Sequence, residues 1–348
     1  MPLELSVLDL VPVRSDQTSG DALRATLRLA AVADDLGFHR YWLAEHHNMP
    51  AVAATNPPVL IALVAAATSR IRVGSGGVML PNHAPLVVAE QFGLLEAAHP
   101  GRIDLGLGRA PGSDPVTSWA LRYGAGGVDE AAAARFPEYV GNVIAMLGKD
   151  GVGLDVGGRT YPLRATPVAT STPPVWLLGS SDFSARLAAE LGLPYVFAHH
   201  FSGSGTAEAL ALYRDGFTPS EQCQRPTTFL TANVVVAETD ADAERLVRPQ
   251  LLAMLALRTG AELGPQRLVE DAESVVVPTE HGGLLAAMRG RWLVGSPERV
   301  AGQLSELADR FDVGEVMVNP VAGAFGGTDP ATSPTREESL RLLAKALR

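Results

Sequence analysis

Short apolar runs alternate along the chain with longer segments in which apolar residues recur at helical spacing. This alternation is typical of parallel α/β folds, in which each buried strand is followed by a helix. A Gly-x-Gly-x-x-Gly sequence is absent between the predicted strands and helices, which argues against a dinucleotide-binding sheet. The pattern therefore predicts an α/β fold of the (β/α)8 TIM-barrel class with insertions. Its predicted strands are the apolar runs within 3–8, 41–43, 72–81, 103–107, 175–178, 195–198, 228–237 and 315–318.

Three helical segments carry informative signals. One apolar face runs through residues 20–36, and Gly37 is expected to end that helix. Segment 57–67 is apolar all round, which indicates burial on more than one side, so we expect it to form a homodimer contact. Ser296 as N-cap and Pro297 at the first helical position begin a third helix. Further helices are predicted at 85–98, 136–147 and 336–347.

Some stretches depart from the alternating pattern. Residues 114–134 are rich in Gly and Ala and are predicted to form a loop. Residues 149–174, with many Gly, Thr and Pro, and residues 248–290 are predicted to be excursions from the barrel. Asp240 is the expected N-cap of the helix that follows the seventh strand. With these excursions, residues 1–348 are predicted to form a single barrel domain.

Composition narrows the classes of function. The 348 residues carry 28 Lys and Arg against 38 Asp and Glu, a net charge of −10, which argues against nucleic acid or an anionic membrane as a partner. Cys223 is the single cysteine, so the sequence excludes an intrachain disulfide and a cysteine-based zinc cluster. We see no signal peptide, and no apolar run approaches the roughly 20 residues that span a bilayer. We therefore expect a cytoplasmic protein.

Histidines follow two predicted strands, at the edge where parallel α/β barrels bind ligands. Glu45, His46 and His47 follow the second strand, and His199 and His200 follow the sixth. Glu45, His46 and His47 could shape a loop through hydrogen bonds or act as acid–base groups, and the four histidines together with Glu45 could form a metal site. Barrel metallohydrolases usually carry His-x-His at the end of strand one, where this chain has Asp between two Leu residues. We therefore predict no metal.

Three further groups lie at predicted strand ends. Gly76 and Gly77 end the third strand and could form a close-packing point or a bulge. Arg109 closes the fourth strand, either in an ion pair at the rim or as an anion clamp, since its guanidinium matches a phosphate bidentately. Serines after the fifth strand could be plain N-caps, or could bind phosphate together with free helix N–H groups. These serines are Ser180, Ser181 and Ser184.

Two motifs resemble those of a known family. Residues 75–81 read Ser-Gly-Gly-Val-Met-Leu-Pro, and residues 101–109 read Gly-Arg-Ile-Asp-Leu-Gly-Leu-Gly-Arg. Both are similar to motifs of the bacterial luciferase-like flavin monooxygenases. The resemblance extends along nearly the whole chain and is most specific between residues 40 and 112.

The resemblance implies a cofactor site. In this family the dipeptide that matches Gly76 and Gly77 has a non-prolyl cis bond, and the flavin ring rests on the bulge that it makes. The phosphate of FMN is bound by residues that match Arg109, Ser180, Ser181 and Ser184. The luciferases carry an acid where this chain has Ser180, so the resemblance does not imply light emission.

The resemblance also implies an activity. It indicates a monooxygenase that uses reduced FMN (FMNH2) and O2, with a peroxide at flavin C4a oxygenating a small organic substrate. His46 matches the luciferase active-site histidine and would be the acid–base group near C4a, with His47 beside it in the catalytic set. A separate flavin reductase is expected to supply FMNH2, because the sequence has no dinucleotide fingerprint.

Two alternatives stay open. Members of the same superfamily use the deazaflavin F420 for hydride transfer on the same barrel. A flavin-binding barrel without catalysis is a different class of protein, and the intact sequence Glu45-His46-His47 weighs against it. In the resembled family the region that corresponds to residues 248–290 governs the substrate, and this chain carries no motif there that names one.

Overall fold

A closed parallel β-barrel forms the centre of the protein, which a computed structural model describes at residues 3–110, 114–122, 131–149 and 151–348. The strands of these residues are β1 (Glu4–Asp9), β2 (Arg40–Leu43), β3 (Arg72–Ser75), β4 (Val78–Met79), β5 (Ile103–Gly108), β6 (Val152–Val156), β7 (Arg159–Leu163), β8 (Val175–Gly179), β9 (Tyr195–Phe197), β10 (Thr228–Val236), β11 (Leu293–Gly295) and β12 (Glu315–Pro320). Parallel pairing runs in the order β1, β2, β3, β5, β8, β9, β10, β12, and β12 pairs with β1. The predicted (β/α)8 TIM-barrel class is therefore confirmed.

The barrel closes through β12, which lies between β1 and β10. Val318 of β12 is paired with Val7 of β1 on one side and with Ala232 of β10 on the other. The short strand β11 adds to the far end of β10, outside the closed ring. The first and last strands of the barrel are thus neighbours in space.

Helices pack around the barrel. They are α1 (Ser19–Leu36), α2 (Pro57–Ala67), the 3-10 turn Leu80–Asn82, α3 (Pro85–Ala98), α4 (Pro115–Leu121), α5 (Ala131–Ala134), α6 (Phe136–Leu147), α7 (Asp182–Leu191), α8 (His199–Ser202), α9 (Thr206–Asp215), α10 (Asp240–Thr259), α11 (Val269–Ser274), α12 (Thr279–Arg289), α13 (Pro297–Phe311) and α14 (Pro334–Ala346). As predicted, Gly37 ends α1, with a left-handed φ of 82°, and Ser296 is the N-cap of α13. None of the helices in the described residues has the length and hydropathy needed to cross a membrane.

The barrel wall is apolar on both faces, because helices cover the outside and side chains fill the inside. Inside, the Trp42 ring centroid lies 5.6 Å from that of Trp176 and 5.2 Å from that of Phe229. The inner cluster consists of Leu8, Trp42, Trp176, Val196, Phe229 and Met317. This aromatic cluster supports the cavity at the carboxyl end of the strands.

Charged side chains close the amino end of the barrel below this cluster. Arg40 donates to Asp104 at 2.8 Å and to Glu315 at 3.0 Å, while Arg72 Nε and Trp42 Nε1 donate to Asp104, each at 3.0 Å. Burial by itself raises the pKa of the fully buried Asp104, but the charges of the two arginines outweigh it and hold that pKa below its ordinary value. The network joins β2, β3, β5 and β12.

Two predictions of local structure were wrong. Residues 114–134 are not all loop, because α4 and α5 lie there; Asp114 is the N-cap of α4 and accepts hydrogen bonds from the backbone N–H groups of Val116 and Thr117. The middle of that stretch, 123–130, lies outside the described residues. Asp240 is the first residue of α10, and its neighbour Thr239 is the N-cap.

The two predicted excursions have regular structure. Residues 149–174 contain the antiparallel hairpin of β6 and β7, which does not pair with the barrel sheet. Residue 248 is not a boundary, because α10 continues through Pro249 to Thr259. The helices α11 and α12 follow, and β11 then returns the chain to the edge of β10.

Candidate active site

The carboxyl end of the barrel holds a cavity of about 270 Å³ that collects residues from several strand ends. Six of the eight predicted site residues line it. We call it the Gly–Ser cavity; its lining includes Trp42, Gly76, Gly77, Arg109, Leu178, Ser180, Ser181, Ser184, His200 and Phe201.

Gly76 and Gly77 form one wall of this cavity. The peptide bond between them is cis, which confirms the expectation from the family resemblance. A Cβ atom on Gly77 would lie 2.9 Å from the carbonyl oxygen of Gly106, and one on Gly76 would lie 2.8 Å from Cδ1 of Leu8. The glycines therefore permit close packing against the neighbouring strands, and they leave a wall without side chains that a flat ligand can approach.

Arg109 stands at the end of β5 in the same cavity. Its guanidinium carbon lies 3.9 Å from the centroid of the Phe183 ring, a cation–π contact with the side chain of α7. Among the residues that the structure describes, no carboxylate lies within ion-pair distance of Arg109. The guanidinium is therefore positioned by an aromatic ring, and no carboxylate of the described residues compensates its charge, which suits an anionic ligand.

The serines of the cavity surround the N-terminus of α7. Ser181 is the N-cap residue, but its side chain makes no capping hydrogen bond, so its hydroxyl does not act as a plain cap. Ser180 is exposed and Ser184 is buried. The free N–H groups of this first turn and the helix dipole favour an anion. Asp182 in the same turn opposes this effect, but its carboxylate is exposed and lies 3.5 Å from Arg186.

His46 lies in a neighbouring cavity, described below, in the loop after β2. Its backbone N–H donates to the carbonyl of Ala54 at 2.7 Å, which fixes the loop. Burial lowers the pKa of the His46 imidazole below its ordinary value of 6.5, so the ring is neutral at neutral pH. Its Nδ1 is buried without a hydrogen-bond partner. A neutral imidazole in a cavity lining is a group that can exchange a proton with a bound ligand.

Glu45 connects two imidazoles to the backbone after β3. One carboxylate oxygen lies 2.7 Å from His47 Nε2 and 2.6 Å from His83 Nε2, and the other accepts the Met79 backbone N–H at 2.9 Å. Burial alone raises the pKa of Glu45, but the contacts with His83 and His47 and the hydrogen bond from Met79 outweigh it, so that pKa lies below its ordinary value. The structure thus places His47 outside both cavity linings, as a partner of Glu45.

His83 was missed by the sequence reasoning. It follows the 3-10 turn, two residues after Pro81, the last residue of the Ser-Gly-Gly-Val-Met-Leu-Pro motif. Its nearness to that motif was the only available signal, because its partner Glu45 is 38 positions away in sequence.

Glu45, His47 and His83 are also the group that could hold a metal ion at this end of the barrel, since their ligand atoms lie within 4.8 Å of one another. The Nε2 atoms of His47 and of His83, however, are each hydrogen-bonded directly to the Glu45 carboxylate. In the other pair, His199 and His200, the first histidine has different partners. His199 Nδ1 lies 2.8 Å from Thr206 Oγ1, and the His199 ring contacts the ring of Phe311. The fold therefore does not bring the two histidine pairs together in one ligand set.

His200 is a second residue whose place the sequence did not give. It was considered only as a metal ligand, but it lines the Gly–Ser cavity, and its Nδ1 lies 2.6 Å from Thr231 Oγ1. Burial lowers the pKa of the His200 ring to about 4, so this imidazole is neutral as well.

A second cavity, of about 390 Å³, adjoins the first at Phe201, which lines both. We call it the α10 cavity, because α10 forms one side of it; the loop after β2 and the end of β12 form the others. Its lining includes Leu10, His46, Met49, Gln250, Met254, Leu257, Arg258, Gln266, Asn319, Val321 and Arg336. The sequence reasoning could not find this site, because it did not continue α10 past residue 248, and the part of α10 that lines the cavity begins at Gln250.

A third cavity, of about 640 Å³, lies at the opposite end of the barrel. It contains none of the predicted site residues, and two of its charged groups have partners: Arg72 pairs with Asp104, and Asp34 accepts backbone N–H groups of Ser69 and Ile71. Since barrel enzymes carry their chemistry at the carboxyl end of the strands, we assign the site there despite the larger volume of this cavity.

Comparisons with known proteins agree with this geometry. The family model described as luciferase-like monooxygenase matches residues 3–312. The chain is 41% identical over 320 residues to a luciferase-like monooxygenase of Escherichia coli (strain K12), with 91% of each chain covered. It is 31% identical to the N-acetyl-S-alkylcysteine monooxygenase of Bacillus subtilis (strain 168), with 92% of this chain and 94% of the relative covered.

A solved structure is similar along the same length. The crystal structure of apo-MsnO8 superposes with a TM-score of 0.85 at 35% identity, and the match covers 99% of this chain and 98% of that one. Since the family model spans most of the chain and relatives above 30% identity match it nearly end to end, this protein belongs to the luciferase-like monooxygenase family.

Proposed function

We propose that the protein is an FMN-dependent monooxygenase that takes reduced FMN and O2 and oxygenates a small organic substrate. The observation that carries this proposal is the Gly–Ser cavity, in which a side-chain-free glycine wall lies in the same space as the uncompensated cation of Arg109. A flat ring with a phosphate tail needs both features. Membership of a monooxygenase family supports an oxidoreductase.

The residues present fit the cofactor. Gly76 and Gly77 would receive one face of the ring, above Trp42. Arg109 would hold the phosphate together with the helix N-terminus and hydroxyls of Ser180, Ser181 and Ser184. When bound, reduced flavin supplies the reaction with O2, a chemistry that protein side chains do not provide.

His46 is proposed as the acid–base residue. Its neutral ring and its place in the cavity lining would allow it to take a proton from a reacting group and return it. His47, which binds Glu45 at 2.7 Å, would hold the loop that carries His46 and thereby position it. The apolar walls of the two cavities would limit the access of water to the reacting atoms.

Supply of the reduced cofactor is proposed to come from a separate flavin reductase. The sequence contains no dinucleotide fingerprint after a strand, so this chain has no evident site for a nicotinamide donor. The relative named N-acetyl-S-alkylcysteine monooxygenase supports a small organic molecule as the substrate.

Anaerobic titration of the purified protein with FMN, reduced FMN and F420 tests the cofactor. We expect saturable binding of reduced FMN and, after O2 is admitted, oxidation of the bound flavin at a rate different from that of free FMNH2. Tight binding of F420 with hydride transfer that needs no O2 would replace the proposal with the deazaflavin alternative. Binding without any change in the reaction with O2 would favour a non-catalytic flavin barrel.

The metal alternative is tested separately, because Glu45, His47 and His83 could ligate an ion. We expect no stoichiometric transition metal by elemental analysis and full activity after chelation. About one zinc or iron per chain, with activity lost on its removal, would contradict the flavin proposal.

A further inference from the structure

We infer that the α10 cavity binds the organic substrate, and that this substrate is a small organic acid: an apolar body that carries one carboxylate, held by Arg258. The inference rests on the proposed function, since it names the class of substrate for the same site. Four observations support it, and each concerns the lining of the α10 cavity.

The first observation is the apolar character of the lining. Side chains from four separate segments of the chain turn carbon atoms toward the cavity, among them Leu10, Met49, Met254, Leu257 and Val321. Such a lining favours an aliphatic or aromatic body, and flexible methionines adapt to its shape. A volume of about 390 Å³ lies in the range of small-ligand sites.

The second observation is that most polar groups of the lining already have partners. Gln266 donates to Gln250 at 2.9 Å, and Asn319 donates to Asn233 at 2.8 Å. Arg336 is neutralised, because it donates to the buried carboxylate of Asp9 at 2.7 Å and to the carbonyl of Pro320 at 2.8 Å. These groups therefore add little net charge to the cavity.

The third observation is that Arg258 has no such compensation. Its Nη2 donates to the carbonyl of Phe201 at 3.0 Å, and its guanidinium carbon lies 4.7 Å from the centroid of the Phe201 ring. Within residues 3–110, 114–122, 131–149 and 151–348, no carboxylate lies at ion-pair distance from it. Within those residues the charge of Arg258 is therefore uncompensated, and its guanidinium, held in position by an aromatic ring, suits bidentate contact with a carboxylate.

The fourth observation is the difference in exposure along the lining, which indicates the orientation of the substrate in the cavity. Arg258 is exposed, whereas His46 and Leu10 lie deeper in the lining. The carboxylate would therefore stay at the mouth, and the apolar body would extend inward along His46. Phe201, which holds Arg258, lines both cavities, so a substrate in the α10 cavity would lie beside the Gly–Ser cavity.

Binding of octanoate and of its neutral analogue octanamide tests the inference by isothermal titration, with the flavin-free protein. We expect octanoate to bind about twofold to fivefold more tightly than octanamide, because Arg258 is exposed and solvent weakens its pair with the carboxylate. Arg258→Met should remove this preference and leave octanamide binding unchanged, while Arg258→Lys should keep part of it. Arg245→Met, on the same helix but outside the lining, is the matched control and should behave like the wild type.

A variant that fills the cavity locates the probe. Ala253→Trp should weaken both octanoate and octanamide, because Ala253 lines the α10 cavity. Equal affinity for the two probes in the wild type would overturn the inference. Octanoate binding that survives Ala253→Trp would also overturn it, since the acid would then lie outside the cavity. FMN affinity, measured in parallel, should be the same in the wild type and in Arg258→Met. A wild-type protein that does not bind FMN would contradict the proposed function, whereas the comparison of octanoate with octanamide would still test this inference.

Discussion

Arg109 is the residue on which the proposed phosphate site depends most. Arg109→Ala removes a charge-assisted pair worth about 1.5–3 kcal/mol. We therefore expect FMN affinity to fall roughly tenfold to a hundredfold, whereas riboflavin, which lacks the phosphate, should bind nearly as before. Fluorescence titration with both ligands measures this, because Trp42 lines the same cavity.

The matched control for this variant is Arg159→Ala. Arg159 is exposed on β7 and lies outside the cavity lining. It should leave the affinities for FMN and riboflavin unchanged. Equal losses for the two ligands in Arg109→Ala would remove Arg109 from the phosphate site.

His46 is predicted to transfer protons during turnover and to contribute little to flavin binding. His46→Ala should keep FMN affinity within a few-fold, because the phosphate anchors lie on other loops. Turnover should fall by roughly 10²–10⁴, the usual range for a lost acid–base group, and bound reduced flavin should release hydrogen peroxide in place of oxygenated product. His281→Ala, on α12, is the control. Wild-type turnover and coupling in His46→Ala would make His46 a loop-shaping residue only.

The pH dependence of turnover gives an independent measure of the same role. Burial lowers the pKa of His46 below 6.5, so its neutral, proton-accepting form persists until the pH falls through that lowered value. We therefore expect turnover to decline on the acid side with a midpoint below pH 6.5, and we expect His46→Ala to lack this acid limb. An acid limb of unchanged midpoint in His46→Ala would assign it to another group.

The residues found from sequence and those missed differ in one physical respect. His46, Arg109 and the glycine pair belong to short motifs at strand ends, where the barrel topology alone decides that they face the ligand side. His83 and Phe201 gain their roles from contacts between distant elements, with Glu45 in one case and with α10 in the other. Spacing along the sequence does not predict such contacts.

At the scale of elements, the buried charges at the amino end of the barrel hold its strands together. Asp104→Asn breaks the pairs with Arg40 and Arg72, and removal of one partner from a buried network costs about 3–5 kcal/mol. The free energy of unfolding at pH 7, measured with urea, should fall by about that amount. Asp309→Asn, at an exposed position of α13, is the control and should change it little.

Acid should weaken the same network. The pKa of Asp104 is lower in the folded protein than its ordinary value of 3.8. Its contribution to stability is therefore complete above that value and is lost as the pH falls through the lower folded pKa. We expect the unfolding free energy of the wild type to drop below about pH 4, and that of Asp104→Asn to drop less steeply. Parallel pH curves for the two proteins would contradict this role.

Element types were more predictable than element ends. The eight barrel strands and the helices α1, α2 and α13 follow from apolar periodicity and from Pro, Ser or Gly at their ends. The helix α4 was missed although Asp114 and Pro115 form an N-cap and first position, because the many Gly and Ala residues around it indicated a loop. The helix α10 was cut short at 248, yet it continues through Pro249, which packs against Gly323. There tertiary packing outweighs local propensity.

At the scale of the whole molecule, an apolar surface on α2 and α3 predicts a homodimer. Leu63 and Val59 on α2 and Leu94 on α3 are exposed in the single chain, Leu94 to 58%. A second copy would bury them, so Leu63→Glu should give monomers by placing an unpaired carboxylate in the interface. Light scattering at micromolar concentration measures the state.

The control for the dimer is Val276→Glu, which adds the same charge at a position that is 90% exposed between α11 and α12. It should leave the dimer intact. A native protein that is already monomeric would end the prediction. That residues 1–348 form a single domain also stays a prediction, and one cooperative unfolding transition in urea would support it.

The position of β12 between β1 and β10 also sets the time at which the barrel can close. Ribosomes add about 5–20 residues per second, so β1, which ends at Asp9, emerges about 15–60 s before β12, which begins at Glu315. β1 presents an unpaired edge throughout that interval, and β10, which ends at Val236, presents one for about the last 4–16 s; either edge can associate with other chains. A nascent chain therefore depends on chaperones late in synthesis, and a translation stop before residue 315 leaves two open edges in place of a smaller barrel.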